Sequence, residues 1–485
     1  MKKIHINSAV KTAILIVLFS FTSCQDWLTV VPETELIKDK FWKKTEDVNS
    51  ALGAAYNALR NASLESLIWG ELRADLVIIS GSNFSDYAKI AGSDISPSND
   101  AIDWKDYYQA INLANTLMYF DDEVAALDET FTPAMQQAIE AEALFIRSMA
   151  YFYLVRVWKD VPLVTQASIS DTSDLYVAKS PEHVVLGQVV QDLLHAREIA
   201  YKLEFQGTSY FYGRANYYSI TALLADVYLW MEQYQNSIDA CDVIINSGLF
   251  SLELNENWFD LYYPGNSANE AICEIQYDDN LEQQENPIYN NLVPLDGRQP
   301  QAQMDWQNIN LIMDQEDLRR YNGAGGLWKY YGKDQLGIIA RSFSERDANW
   351  IFYRFAEIQL IKAEACIELD RFSEANDLIS ETMLRAGAPF IEQTDKELLR
   401  EMLLNERGRE FLFEGRRWFD MLRVAKRNQF ENKQLIIDMI LSGADIKQQA
   451  ILRTRVYDTM SYYLPVQERE LIFNQNLVQN PFYDR

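Results

Sequence analysis

The sequence predicts a mainly α-helical chain interrupted by one long irregular region. Three observations lead there. Apolar residues recur at helical spacing through much of the first 250 residues and again after residue 356. Two helical hairpins, residues 213–248 and 356–387, share a layout: an Ala (Ala225, Ala363) precedes an aromatic (Tyr234, Phe372) by the same interval. Between them, residues 252–350 lose the helical period and mix aromatics with Gly, Asn and Asp.

At the N-terminus, Lys2 and Lys3 precede the apolar run Ala13–Phe21. That run is far shorter than the roughly 20 residues a bilayer span needs. Residues 1–23 therefore read as an export signal. Ser23-Cys24 then follows, a small residue before a Cys. The next words, Gln-Asp-Trp-Leu-Thr-Val-Val-Pro, form a short tether that starts docking at Trp27 and Leu28. No other stretch is long and apolar enough to span a bilayer.

Helices are expected over Thr45–Arg60 and Ile102–Phe120. Between them, Ile79–Asp100 is rich in Ser, Gly, Asn and Asp and reads as an exposed loop, with Tyr87 near its middle. Ala134–Trp158 reads as one long helix ended by Pro162. Ser180 is the expected cap of the next helix and Pro181 its first residue. In the first hairpin Ala222, Ala225 and Leu229 pack one helix, and Tyr234, Ile238, Cys241 and Ile245 the other, with Gly248 as the stop. Gly387 and Pro389 stop the second. Small residues let two helices approach and an aromatic fills the gap at the turn, which is the logic of tetratricopeptide hairpins.

In the irregular region, Ala271–Tyr277 alternates and reads as a strand. The glycines at 323, 325 and 326 lack the order and helical context of a phosphate loop. Farther on, Asn405–Arg423 reads as one buried helix, with Leu404, Gly408, Phe411, Gly415, Trp418 and Leu422 on a stripe. Its opposite charges fall three or four apart: Glu406 with Arg409, Arg407 with Glu410, Glu414 with Arg417, Arg416 with Asp420. Gly408 and Gly415 are expected where a neighbouring helix comes close. Glu410 and Glu414 make poor general acids, because Arg neighbours keep them ionised.

Composition narrows the function. Net charge is −27, which argues against nucleic acid. The 4 Cys include no Cys-x-x-Cys, and the 3 His show no metal spacing, so neither a metal nor a cofactor is expected. No catalytic constellation stands out. Aromatics reach 13%, a surplus that suits a protein stacking planar rings on sugars.

Several of these words resemble the SusD/RagB family of nutrient-binding outer-membrane lipoproteins. The resemblance rests on Ser23-Cys24 and the Trp-Leu and Pro after it, Ala-Glu-Ala to Asp-Val-Pro over 141–162, and the 405–423 stretch. It continues in Tyr-Leu-Pro465, Arg469-Glu, and Asn476-Leu to Gln-Asn-Pro481. Ser23-Cys24 resembles a lipobox, whose Cys takes a diacylglycerol, although Phe21 departs from the usual aliphatic there. Membership implies a SusD-like single domain over 24–485: an N-terminal part to about 250, a loop-rich insert over about 251–350 and a C-terminal helical part. It implies a non-enzymatic surface protein of the outer membrane that captures oligosaccharides for a SusC-like, TonB-dependent transporter. The glycan site is expected on loops, from Asn83 and Tyr87 with Tyr277, Trp306 and Trp328. A surface glycoside hydrolase, or a tetratricopeptide-type protein adaptor without glycan binding, are the alternative readings.

Overall fold

The structure, a computed structural model, describes residues 41–79, 85–169, 175–202, 212–254, 257–262, 269–278, 285–292, 302–320, 328–331, 345–444 and 446–484. The export signal, Cys24 and the tether lie outside these residues.

Helices α1 (Thr45–Asn61) and α2 (Ser63–Glu71) open the chain, followed by strand β1 (Val77–Ile79) and the short α3 (Asp86–Ala91). The expected exposed loop is thus only partly a loop. Ser85 caps α3, and Ile90 on its inner side is fully buried. Next come α4 (Lys105–Leu127) and α5 (Pro133–Trp158). Thr132 caps α5 and Pro133 starts it. Lys159, at φ 67°, ends it before β2 (Val161–Pro162). Ser180 belongs to β3 (Lys179–Ser180), so α6 (Glu182–Ile199) begins one residue later than expected, with Pro181 in the cap position.

The two hairpins are α7 (Tyr217–Trp230) with α8 (Tyr234–Ile245), and a later pair. Between them lie β4 (Ala271–Ile275), α9 (Pro287–Asn291), β5 (Ala302–Met304), α10 (Trp306–Ile312), α11 (Trp328–Tyr331) and β6 (Trp350–Arg354). The later pair is α12 (Phe355–Glu368) with α13 (Phe372–Arg385). Both turns hold a non-glycine residue at φ 59°, Glu232 and Asp370, and both second helices end before a left-handed glycine, Gly248 or Gly387. Ala222, Ala225 and Ala363 are completely buried, as close helix approach requires. Packing runs continuously from α5 through α6, α7, α8, α12 and α13 to α14 (Lys396–Glu410). The chain closes with α15 (Arg417–Phe430), α16 (Gln434–Ser442), α17 (Ile446–Val456) and α18 (Glu468–Phe473). One apolar core extends from Trp42 to Leu477.

β4 pairs antiparallel with β6, Ala271 opposite Arg354 and Ile275 opposite Trp350. Both strands are buried on both faces, so the alternation read from the sequence does not separate core from solvent. The polar side chains are matched internally: Glu274 accepts from the Asn349 and Gln276 amides, each at 3.0 Å.

Residues 405–423 are two helices, not one. The chain leaves α14 after Glu410, turns through Phe413 (φ 66°) and Gly415 (φ 69°), and re-enters helix at Arg417. The Glu71 carboxyl group fixes the turn, its two oxygens accepting the backbone N–H groups of Phe413 and Gly415, at 3.3 and 3.1 Å. Gly415 does lie where a helix comes close, against Ser66 and Leu67 of α2. Gly408 instead faces the side chains of Leu76 and Arg417.

Of the four expected charge pairs only Glu406–Arg409 forms, at 2.9 Å. The others reach across the fold. Arg407 meets Asp420 (2.9 Å) and Glu357 (3.3 Å), Arg416 meets Glu357 (3.0 Å), and Arg417 clasps Asp75 (2.8 Å). Glu410 sits between Arg354 (2.6 Å), Arg319 (2.7 Å) and Arg385. Glu414 takes Lys329 (2.5 Å), Arg354 (3.0 Å) and the Tyr262 hydroxyl (2.9 Å). Burial alone would raise both carboxyls, but the cations outweigh it and hold both below the usual range.

Candidate functional site

Two stretches more than 200 residues apart meet in a three-residue antiparallel ladder. Val77 lies opposite Met304, Ile78 opposite Gln303 and Ile79 opposite Ala302. The segment leading to Tyr87 thereby shares a support with the segment leading to Trp306. The join is extended by side chains and backbone. The Asp305 N–H donates to the Leu76 carbonyl, and the Asn308 amide to the Asp75 carbonyl, each at 2.8 Å. Asp305 then caps α10 by accepting from the Gln307 N–H at 3.0 Å, which sets Trp306 at the first helical position. Asp75 is itself clasped by Arg417 through two bonds of 2.8 and 2.9 Å. Burial would raise the Asp75 carboxyl, and Arg417 more than offsets that, keeping it ionised. The support of the two loops is therefore tied to α15.

A cleft of about 270 Å³ runs beside this ladder, between β1, α3 and the α16–α17 corner. Asp75, Asp305 and Gln448 line it with polar groups, the first two already engaged by Arg417 and by Gln307 and Asn308, while Ile78 and Ala88 offer carbon. Arg73 also lines it, but its guanidinium is occupied by the carbonyls of Tyr462 (2.7 Å) and Ser461 (3.1 Å) and lies 3.9 Å over the Trp418 ring. Acceptor groups beside apolar surface are what a polyhydroxylated ligand needs at its edges and face.

The sequence-predicted site residues divide. Trp306 is half-buried at the start of α10, with the Arg320 guanidinium 5.4 Å from its ring. Arg320 is held by the Met313 carbonyl at 2.7 Å. Tyr87 is half-buried on α3, where burial, then Glu65 and Asp86, raise its hydroxyl. Tyr277 is a correction. It is fully buried, shares a hydrogen bond with Ser63 Oγ (2.9 Å), donates to the Arg60 carbonyl (3.2 Å) and offers no ring face to a sugar. Trp328 begins α11, though its side chain lies outside the described residues, as does Asn83. The ladder thus joins the segments that lead to Tyr87 and Trp306, neither of which lines the cleft, while Tyr277 lies in the core.

The α11 positions, expected to be loop, are anchored. Lys329 Nζ donates to the Glu410 carbonyl (2.9 Å) beside its Glu414 pair, and the Tyr330 hydroxyl donates to the Phe413 carbonyl (3.1 Å). Burial lowers the Lys329 amine to about 8 despite Glu414. Sequence reasoning missed Asp305 and Arg320. Asp305 carried a signal, since Asp directly before a short apolar-periodic run is a cap.

A model of the SusD family matches residues 225–483, more than half of the chain. The chain belongs to the SusD family. A second family model, described as "Starch-binding associating with outer membrane", matches residues 26–235. Two SusD-like proteins of Formosa agariphila are similar: one is 28% identical over 88% of this chain and 93% of its own length, the other 23% over 97% and 98%. A SusD superfamily structure from Bacteroides fragilis covers 92% of this chain and 100% of its own at a TM-score of 0.75 and 17% identity. One from Bacteroides thetaiotaomicron covers 91% and 99% at 0.72 and 23%. These neighbours bear out the mainly helical SusD fold. Among the described residues no helix is long and apolar enough to cross a membrane, and no group of three or more His, Cys, Asp or Glu is placed to hold a metal ion.

Proposed function

We propose that this SusD-family protein captures oligosaccharides at the outer-membrane surface, anchored by lipid on Cys24, and passes them to a SusC-like, TonB-dependent transporter without chemistry of its own. The observation that carries the reading is the β1–β5 ladder, which joins the Tyr87 and Trp306 segments beside a cleft edged by Asp75, Asp305 and Gln448. A sugar's axial C–H face is apolar and packs on a ring, while its hydroxyls need acceptors and amides at the edges. The insert over about 251–350 supplies Trp306 and Trp328, and is the part where ligand choice lies. Binding without catalysis agrees with Glu410 and Glu414, whose cationic neighbours keep both ionised. The description of the second family model, starch-binding and associated with the outer membrane, supports the ligand class and location.

Calorimetric titration with a panel of oligosaccharides, starch-derived ones included, tests the binding. Co-purification of a large barrel protein from detergent-extracted outer membranes tests the partner. Reducing ends released from any panel member would replace the reading with a hydrolase.

A further inference from the structure

A cavity of about 370 Å³ lies between the first half of α4, residues 162–168 and 175–177, and the chain end from α18. Trp104, Ile111, Val164 and Leu477 line it with carbon. Tyr176 and Phe473 line it while remaining 57% and 74% exposed. Its polar groups already hold the walls together. Asn112 Oδ1 accepts from the Ser168 N–H (2.9 Å), the Tyr108 hydroxyl donates to the Pro162 carbonyl (2.9 Å), and the Asn474 amide donates to the Val177 carbonyl (2.9 Å). Such a cavity suits apolar side chains far better than a hydroxyl-rich sugar.

The chain carries a segment of matching chemistry. Trp27, Leu28, Val30, Val31 and Pro32 follow closely on Cys24. The described chain starts at Phe41, and Trp42 stacks on Phe120 of α4 at 4.8 Å. At the helical rise, Phe120 and Tyr108 are about 18 Å apart along α4. The chain from Leu28 to Phe41 reaches about 43 Å when extended, more than twice that. Tyr108, Asn112, Asn115 and Tyr119 recur at four, three and four, so they share one face of α4. Tyr119 on that face is 58% exposed, an apolar step between the start of the described chain and the cavity.

We infer that the tether docks here, with Trp27 and Leu28 filling the cavity. Docking would change the leash. Docked, only the few residues between Cys24 and Leu28 separate the body from its anchor, about 13 Å; released, the leash extends to Phe41, about 56 Å. This consequence rests on the proposed lipid at Cys24, whereas the docking itself does not.

Cysteine trapping in the full-length mature protein, extracted from membranes, tests it. Cys241, Cys273 and Cys366 are buried and do not compete. Leu28→Cys with Phe473→Cys should form an intramolecular disulfide in most molecules, identified by mass spectrometry. Leu28→Cys with Leu311→Cys, a 78% exposed position on α10, should not. Maleimide labelling of Leu28→Cys alone should quicken about tenfold when Phe473→Asp is added, a change at an exposed position that leaves the fold intact. Equal trapping with both partners, or labelling indifferent to Phe473→Asp, would overturn the proposal. So would a 28–473 link found only between two chains, which would give the cavity to a second copy. Loss of lipid from Cys24 would leave the trapping result unchanged, so the two ideas fail separately.

Discussion

The backbones of Gly70 and Gly415 touch: a side-chain carbon added at Gly70 would fall 1.8 Å from the Gly415 carbonyl oxygen. Neither partner is a flexible side-chain tip, so the strain has to move α2 against the turn after α14. That turn carries Phe413 and Gly415, the two groups bound by Glu71. Gly70→Ala should therefore destabilise the protein by about 3 kcal/mol or more, at or beyond the upper end for overpacking. Urea unfolding followed by circular dichroism measures it, and a loss below about 1 kcal/mol would refute the close approach.

Trp418 is 1% exposed and lies beneath the Arg73 guanidinium. Trp418→Ala should cost about 3–5 kcal/mol, as large aromatic truncations in cores do. An unchanged melting temperature would contradict its placement.

Arg354 answers three carboxylates, Glu270, Glu410 and Glu414. Arg354→Met removes their shared cation and leaves buried negative charge, so a loss of about 3–5 kcal/mol is expected in the same unfolding measurement.

Stability should fall on both sides of mildly acidic pH. Burial raises the Glu364 and Glu414 carboxyls, but Arg423 and Arg427 on one, and Arg354 and Lys329 on the other, bring both down to about 2. A folded value below the unfolded one stabilises above about 4.5, and this contribution is lost as pH drops toward 2. Glu71 has the opposite sign. Burial raises it to about 8, so its contribution is complete below about 4.5 and is lost as pH rises through 8. Urea midpoints from pH 2 to 9 should show both arms, and Glu71→Gln should lessen the alkaline arm, to which Glu65, raised by burial to about 7, also contributes, while leaving the acid arm in place.

Trp306→Ala should weaken glycan affinity about threefold to tenfold, the scale of one aromatic contact. Titration calorimetry reads the affinity. Trp306 packs only partly buried against the core, so the melting temperature should fall modestly while the fold stays intact. Trp328→Ala is expected to behave alike, and unaltered affinity in both variants would move the site.

Cys24→Ala should release the protein from membranes into the soluble fraction. Palmitate label entering the variant would place the lipid elsewhere.

The hairpins were legible because their signals are local: Gly248 and Gly387 stop helices, and Ala225 and Ala363 mark close contact. The stretch from Leu404 to Leu422 misled because its apolar period continues through the turn, and nothing in Phe413 announces a left-handed backbone. Its charges misled because their partners, Asp75, Glu357 and Arg354, come from other parts of the chain. At the candidate site, composition alone selected the segments of Tyr87 and Trp306, and the ladder joins them. The same criterion misread Tyr277, since an aromatic beyond a strand looks spare until Ser63 and Arg60 are seen around it.

The Glu410 and Glu414 ion cluster also bears on how the chain acquires its structure. Arg319, Lys329, Arg354 and Arg385 all precede in sequence the two glutamates that neutralise them. A chain ending before residue 405 would leave Lys329 without Glu414, and would leave Arg319 only Asp317, and Arg354 and Arg385 only Glu270, to offset their burial. Closing the core around these cations is therefore expected to wait for the residues that carry Glu410 and Glu414. A C-terminal truncation should yield an aggregating chain instead of a smaller folded fragment.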